Sequence, residues 1–446
     1  MSNVVAEASP NLIPIGYKQT EVGVIPKDWE VKTIFELVNF QKSLFDDGDW
    51  IEAKHITNKG IRLIQTGNIG IGRYVEKDAK KYIFEESFET LKCKELYKGD
   101  LLICRLAEPA GRACVLPDIG EDKVITSVDV TIFRPSNEIA NREFYNQYFS
   151  SSDWFKFVLE QVGGTTHKRI SRGSLGKIPV VYPEPKEQTA IANALSDVDL
   201  LITELEKLIA KKQAIKTATM QQLLTGRTRL PQFTLREDGS KKGTKQSELG
   251  EIPEDWEICA LGDIGQTFIG LTYSPNDVAD FGTLVLRSSN VQNGKLAYVD
   301  NVYVNMELSE RVIVKQGDIL VCVRNGSRQL IGKCALIDKN AEGSAFGAFM
   351  SIFRTRYSVF VFYQFQSDLI QKQINEIMGA TINQITNKDM FGFKIILPDE
   401  KEQTAIATIL SDMDEEIQAL EQRLNKTCQI KQGMMQELLT GRTRLV

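Results

Sequence analysis

Apolar side chains recur at Ile191, Leu195, Val198, Ile202, Leu205 and Ile209, alternately four and three residues apart, with mostly polar residues between. That spacing lays one stripe along one face of an α-helix and matches the seam of a coiled coil. It returns at Ile406, Leu410, Met413, Ile417, Leu420 and Leu424. No proline interrupts 186–225 or 401–440, and the second stretch holds one glycine, Gly433. Pro185 suits a first helical turn, and Gly226 and Gly441 suit the left-handed residue that ends a helix. Two helices of about 40 residues, each roughly 60 Å long, are predicted. Past each stripe the apolar pattern moves toward Ile215 and Ile430, which predicts a stutter in register.

The two stretches are copies. Residues 183–230 and 398–445 align without gaps at a constant offset of 215, and 28 of the 48 positions are identical. An internal repeat sets architecture before any local feature does. It reaches back into the preceding segments, where Ile25-Pro26-Lys27-Asp28-Trp29-Glu30 returns as Ile252-Pro253-Glu254-Asp255-Trp256-Glu257. Gly99-Asp100-Leu101-Leu102 returns as Gly317-Asp318-Ile319-Leu320, and Ile132-Phe133-Arg134 as Ile352-Phe353-Arg354. A shared framework with divergent filling predicts two modules that fold alike and read different things.

Strand-like runs at 99–106, 123–134, 318–323 and 391–397 alternate with helical pieces at 142–162 and 358–378. The expected class is α+β, a mixed α/β module used twice and related by a pseudo-twofold repeat. The expected boundaries are 1–182 for the first module, 183–230 for the first long helix, 231–397 for a linker and the second module, and 398–446 for the second helix. An amphipathic helix of this length needs a partner, and the other copy would supply it in an antiparallel coiled coil. The alternative is two amphipathic helices, each packed on its own domain. The first helix carries extra apolar surface at Leu200 and Leu201, where the second has Glu415 and Glu416.

Composition narrows the class only slightly. The 446 residues are 42% hydrophobic and 25% charged, ordinary for a globular protein. No apolar run approaches the ~20 residues of a membrane span. The start, MSNVVAEASPNLIPIG, lacks the basic and apolar regions of a secretory signal, so a cytoplasmic location is expected. Seven cysteines without CxxC spacing argue against a disulfide framework and a zinc site. Cys104, Cys114, Cys322 and Cys334 read as buried strand residues. The net charge of −5 argues mildly against a nucleic-acid partner, although local clustering matters more.

Catalytic chemistry is hard to find. The two histidines, His55 and His167, have no counterparts in the other half and form no metal-ligand or triad spacing. The stretch 326–333, GSRQLIGK, departs from a phosphate loop in glycine spacing and in ending on Cys334. Glu184-Pro185-Lys186 and Asp399-Glu400-Lys401 echo the acid-x-Lys core of nucleases. Both sit at predicted helix starts, where capping and the helix dipole account for them. No metal site and no catalysis by this chain alone are expected.

Before each long helix lies a polar loop. The first, 163–172, offers Thr165, Thr166, His167, Lys168, Arg169 and Arg172, with no acid from 163 to 177. The second, 379–388, offers Thr381, Asn383, Gln384, Asn387 and Lys388. Arg and Lys suit guanine edges and phosphates, whereas Asn and Gln suit adenine. Further candidates are Arg105 and Arg112 in the first half, and Arg324, Asn325, Arg328 and Lys333 in the second. An ordinary polar surface loop is the competing reading. The shared Asn68 and Asn290 are expected to cap turns. Arg227, Arg229, Arg442 and Arg444 suit helix C-termini and would touch phosphate or dock on a neighbouring module.

The order of module, "P-x-x-K-E-Q-T-A-I" helix start and "L-L-T-G-R-T-R-L" helix end, given twice, closely resembles the DNA-specificity subunits of type I restriction–modification systems. The resemblance spans essentially the whole chain. It implies that each module is a target recognition domain reading one half of a bipartite, asymmetric site on double-stranded DNA. It implies that the paired helices set the spacer, and that two modification (adenine-N6 methyltransferase) subunits and restriction/translocase subunits join the chain. S-adenosylmethionine, ATP and Mg would then belong to those partners, with no cofactor on this chain and no membrane. Competing classes are a nuclease or fused restriction–methylation enzyme, and a protein-only coiled-coil adaptor.

Overall fold

The computed structural model describes residues 13–106, 108–163, 168–378 and 383–446. The chain forms two compact units, Met1–Glu206 with Gln422–Val446, and Lys207–Glu421. The long helices run Pro185–Leu224 and Glu400–Leu438, so each unit contains part of both.

In the first unit the run Leu101–Cys104 is apolar throughout and buried on both faces. It is an inner strand of an antiparallel sheet ordered Phe45–Asp47, Val130–Phe133, Leu101–Cys104, Ala113–Val115. Alternation sends Leu101, Ile103 and Phe133 to one side, where they pack on Phe144 and Tyr145 of the helix Arg142–Tyr148, on Phe149 just past its end and on Trp154 of the helix Ser152–Gln161. Leu102, Cys104 and Ile132 point the other way, onto Ile64, Ile69 and Val124. A second sheet, in which Val124–Thr126 runs parallel to Ile61–Ile64, supplies that contact. A two-stranded ladder of Glu30–Thr33 and Pro179–Tyr182 leads into the first long helix.

The second unit repeats this plan. Its antiparallel sheet is ordered Gly265–Ile269, Met350–Thr355, Ile319–Cys322, Cys334–Leu336. The parallel pair is Thr283–Leu286 with Ala345–Phe346, and the ladder into the helix is Glu257–Ala260 with Lys394–Leu397. The helical pieces expected as single stretches are each broken in two. Ser151 and Ser367 start the second helices by accepting the backbone N–H of Trp154 and Ile370.

The repeated motifs are framework. Asp100 is buried, closes the turn before its strand through the Tyr97 N–H, and takes the Arg134 guanidinium from Nε at 2.7 Å. Asp318, Lys315 and Arg354 reproduce this, with Nε at 2.6 Å. In both units the aspartate bond holds the arginine pKa above its ordinary value against the pull of burial. Cys104, Cys114, Cys322 and Cys334 are buried free thiols.

Of the predicted seam, Ile191, Leu195, Leu205, Ile406, Leu410 and Ile417 are buried, while Val198, Ile202, Met413 and Leu420 are half-buried. In the first unit Ile191, Ala192 and Leu195 share a core with Leu438 and Leu439; in the second, Ile406 and Leu410 share one with Met220 and Leu223. The expected stutter does not occur. Ile215 and Ile430 are 41% and 50% exposed. The four–three spacing continues instead through polar positions, Lys212 and Lys216 on one helix, Thr427 and Lys431 on the other. Lysines fit there because acids meet them: Lys216 reaches Asp414 at 2.6 Å and Lys212 reaches Glu416 at 2.6 Å in the second unit, and Lys431 reaches Asp199 at 2.6 Å in the first. Asp199 also accepts from Gln147, and Asp414 from Tyr363, at equivalent places on the module helices. Leu200 and Leu201 are exposed, in keeping with the extra apolar surface read from the sequence.

Candidate nucleic-acid interface

The polar loop of the first unit is closed by Gly163 and Arg169, which exchange backbone hydrogen bonds of 3.1 and 3.0 Å. The next residue, Ile170, is buried and donates its N–H to the Arg105 carbonyl at 3.0 Å, sewing the loop to the end of the strand Leu101–Cys104. In the second unit Ile385 donates to the Val323 carbonyl at 2.8 Å, and Asn383 Nδ2 donates to the Gly326 carbonyl at 3.1 Å. Thr165, Thr166, His167 and Thr381 lie outside the described residues.

The remaining candidates of the first unit divide by exposure. Lys168 and Arg169 are exposed. Arg169 Nη2 lies 3.0 Å from Asp129 Oδ1, and the half-buried Arg172 pairs with Asp46. The run 163–177 holds no acid of its own; the tertiary structure brings Asp129 and Asp46 to it from distant parts of the chain. Arg105 is only 2% exposed. Its Nη1 donates to the Ile170 carbonyl, its Nη2 to the Val128 carbonyl, and its Nε lies 3.1 Å from Asp47. Burial lowers its pKa from the ordinary value, with Asp47 opposing. Arg112 donates to the carbonyls of Ile69, Leu106, Pro109 and Thr66. Both arginines face inward and hold loops in place.

In the second unit Arg324 is exposed and lies over the Phe349 ring, 5.4 Å from its centroid. Asn325 bonds Ser288 Oγ and the Ser327 N–H. Arg328 Nη2 donates to the Asn375 and Met378 carbonyls at the end of the helix Asp368–Ile377. Lys333 is exposed, and Gln384 is half-buried with its backbone paired to Arg324. Asn387 and Lys388 open the helix Asn387–Gly392, which Thr386 caps.

Asn68 and Asn290 cap turns as expected. Each accepts the N–H three residues back and donates to a carbonyl seven residues on, Val75 or Ala297. The first turn borders a depression of about 490 Å³ lined by Trp50, Thr66, Gly67, Lys77, Leu106 and Asp129. Trp50 is 71% exposed there. Trp50, Asp129 and Phe349 escaped sequence reasoning because each sits alone in its local pattern, and only the fold sets them beside the loops. Among the described residues no group of His, Cys, Asp or Glu forms a metal cluster. Asp399 caps its helix by accepting the N–H groups of Lys401 and Glu402.

A sequence model of the family described as "Type I restriction modification DNA specificity domain" matches residues 26–217 and 253–429. The chain belongs to this specificity family. Both matches begin in an Ile-Pro-x-Asp-Trp motif and end inside a long helix, so the family's repeat is this chain's repeat. Among relatives in the specificity family, the provisionally named MjaX specificity subunit of Methanocaldococcus jannaschii is 26% identical over 96% of this chain and 97% of its own length. The type I restriction enzyme MjaVIII specificity subunit of the same organism is 24% identical over 94% of each. The EcoKI specificity subunit of Escherichia coli is 29% identical over 43% of each chain. The fold matches the crystal structure of a type I restriction–modification S subunit from M. genitalium with a TM-score of 0.57 at 16% identity, over 92% of this chain and 96% of that one. Among the described residues no helix is long and apolar enough to cross a membrane.

Proposed function

We propose that this chain is the sequence-reading subunit of a type I restriction–modification complex, each unit recognising one half of a bipartite, asymmetric site on double-stranded DNA. The observation that carries this is the pair of loops, 163–169 and around 383–385, sewn to equivalent strand ends by the same backbone bonds while presenting different side chains. Backbone sameness with side-chain difference is what two readers of unlike sequences require, because base edges are told apart by side-chain donors and acceptors.

The chain acts as a non-catalytic scaffold in this reading. Two methyltransferase subunits and restriction/translocase subunits join it, and S-adenosylmethionine, ATP and Mg reside on them. The long helices pair as an antiparallel coiled coil and set the spacer between half-sites. The start-to-end core contacts and the repeated Lys–Asp pairs within each unit support that pairing. The nuclease alternative is not favoured; in the second copy of its acid-x-Lys residues, 399–401, Asp399 serves as a helix cap.

The test is single-molecule methylation sequencing of DNA from cells expressing the chain with its methyltransferase partner. N6-methyladenine at one split motif, with one half changing when residues 1–182 are exchanged for those of a relative, is the expected result. A stable complex that marks no motif would sink the proposal.

A further inference from the structure

Three positions carry matching backbone bonds in both units and different side chains in each. In the first unit they are Leu106, Asp129 and Arg169; in the second, Arg324, Phe349 and Gln384. The Arg105 N–H donates to the Asp129 carbonyl at 2.8 Å, and the Val323 N–H to the Phe349 carbonyl at 3.0 Å. Leu106 faces Arg169 across a single antiparallel bridge, as Arg324 faces Gln384. Side chains of directly opposed residues emerge on the same side of such a ladder. The neighbouring frame residues are buried in both units, Cys104 with Cys322, Val130 with Met350, Ile170 with Ile385. Packing holds those positions apolar; of the three, Leu106 is half-buried against that core, while Arg169, Arg324 and Phe349 are exposed.

We infer that these are equivalent specificity-determining positions, and that Arg169 in one unit and Arg324 in the other each read a guanine. The inference rests on the DNA-reading function proposed above. Two arginines stand out among the candidates. Arg105 and Arg112 spend their donors on backbone carbonyls, and the exposed Arg328 commits its Nη2 to the end of the helix Asp368–Ile377. Arg172 is half-buried where Arg169 and Arg324 are exposed. Guanine presents O6 and N7 side by side, which a guanidinium fork meets with two donors at once.

Each unit immobilises its fork differently. Asp129 holds one nitrogen of Arg169 at 3.0 Å and leaves other N–H groups to point outward. Arg324 lies over the Phe349 ring, which orients the fork without consuming a donor. Either arrangement reduces the entropy lost when a long side chain is fixed on a base. Phe349 is 56% exposed, which leaves its ring open to the guanidinium.

The experiment expresses the full chain, with its methyltransferase partner, as wild type, Arg169→Gln, Arg324→Gln and Lys168→Ala, and maps the methylated motif of each. Arg169→Gln is expected to relax one guanine in one half-site, and Arg324→Gln one guanine in the other half. Discrimination against other bases should fall roughly tenfold at that position. Lys168→Ala is expected to lower the methylated fraction with every letter retained. Wild-type motifs in both arginine variants would overturn the inference, as would relaxation of the same half by both. Where a variant marks no DNA, the purified complex is titrated with duplexes carrying each single base-pair change. Lost preference at one guanine supports the inference, and a wild-type ranking overturns it. No motif from the wild-type chain would sink the DNA-reading assignment and this inference with it.

Discussion

The guanidinium of Arg444 meets the carboxylate of Glu187, 257 residues earlier, with Nη2 donating to Oε2 at 2.8 Å. Glu187 is 1% exposed and also accepts from Trp29 Nε1 at 2.8 Å, while Arg444 forks onto Asp28. Arg229, Glu402, Trp256 and Asp255 build the same cluster in the second unit. The repeated KEQT, TGRTRL and IPxDWE motifs thus converge on one latch per unit, in which the end of one long helix secures the start of the other.

Removing the arginine strands a buried carboxylate. Arg444→Ala should cost about 3 kcal/mol, in the range for breaking a buried ion pair, with Arg229→Ala similar in its own unit. Denaturant unfolding measures it; a loss below about 1 kcal/mol would show that water replaces the guanidinium without penalty.

Gly441 sits at φ +69°, and a Cβ there would overlap the Pro26 and Trp29 side chains. Gly226 has the same φ, with Pro253 and Trp256 in its way. Gly441→Ala should therefore destabilise by about 2 kcal/mol or more, combining left-handed strain with steric overlap. An unchanged melting temperature would refute the close approach.

Arg105→Met and Arg112→Ala should lower the melting temperature and weaken binding to all duplexes alike. These side chains hold loops and carry no sequence information. A motif altered at one base by either variant would contradict that assignment.

Acid should loosen both latches. Bonds from Arg444 hold the Asp28 carboxyl below its ordinary 3.8; burial works to raise Asp255, but Arg229 and Lys242 hold it below 3.8 as well. A depressed folded pKa supplies stability that is fully present above the unfolded value and lost as pH falls through the folded one. Melting temperature should hold down to about pH 5 and drop below about pH 4. In Asp28→Asn/Asp255→Asn it should start lower at neutral pH and fall less in acid.

Burial pushes the Cys114 and Cys334 thiols up to about 12 and Cys322 up to about 11. The thiolate is the reactive form, so these should resist a disulfide reagent at pH 8 until the chain unfolds. The half-buried Cys259 and Cys428 should label before them. Peptide mapping that finds Cys114 or Cys334 modified early would contradict the core placement.

The long helices, their capping residues and the doubled module were legible because periodicity, proline and glycine act within a few residues of where they stand. The buried strands at 101–104 and 319–322 were equally legible as continuous apolar runs. The break of each helical piece at Ser151 and Ser367 was missed because a serine cap inside an apolar stretch is a weak local signal. Ile215 and Ile430 misled because their seam positions are occupied by lysines, acceptable only where Asp414, Glu416 and Asp199 arrive from the other helix. The candidate arginines divided on the same ground. Identical in type, Arg105 and Arg169 differ in whether carbonyls or solvent surround them, and Asp129 reaches Arg169 from 40 positions away in the chain. Local spacing therefore determined the repeat, the helices and the family's framework. Which side chains face outward was decided by tertiary structure alone, because desolvation and ion pairing depend on neighbours that the chain brings from elsewhere.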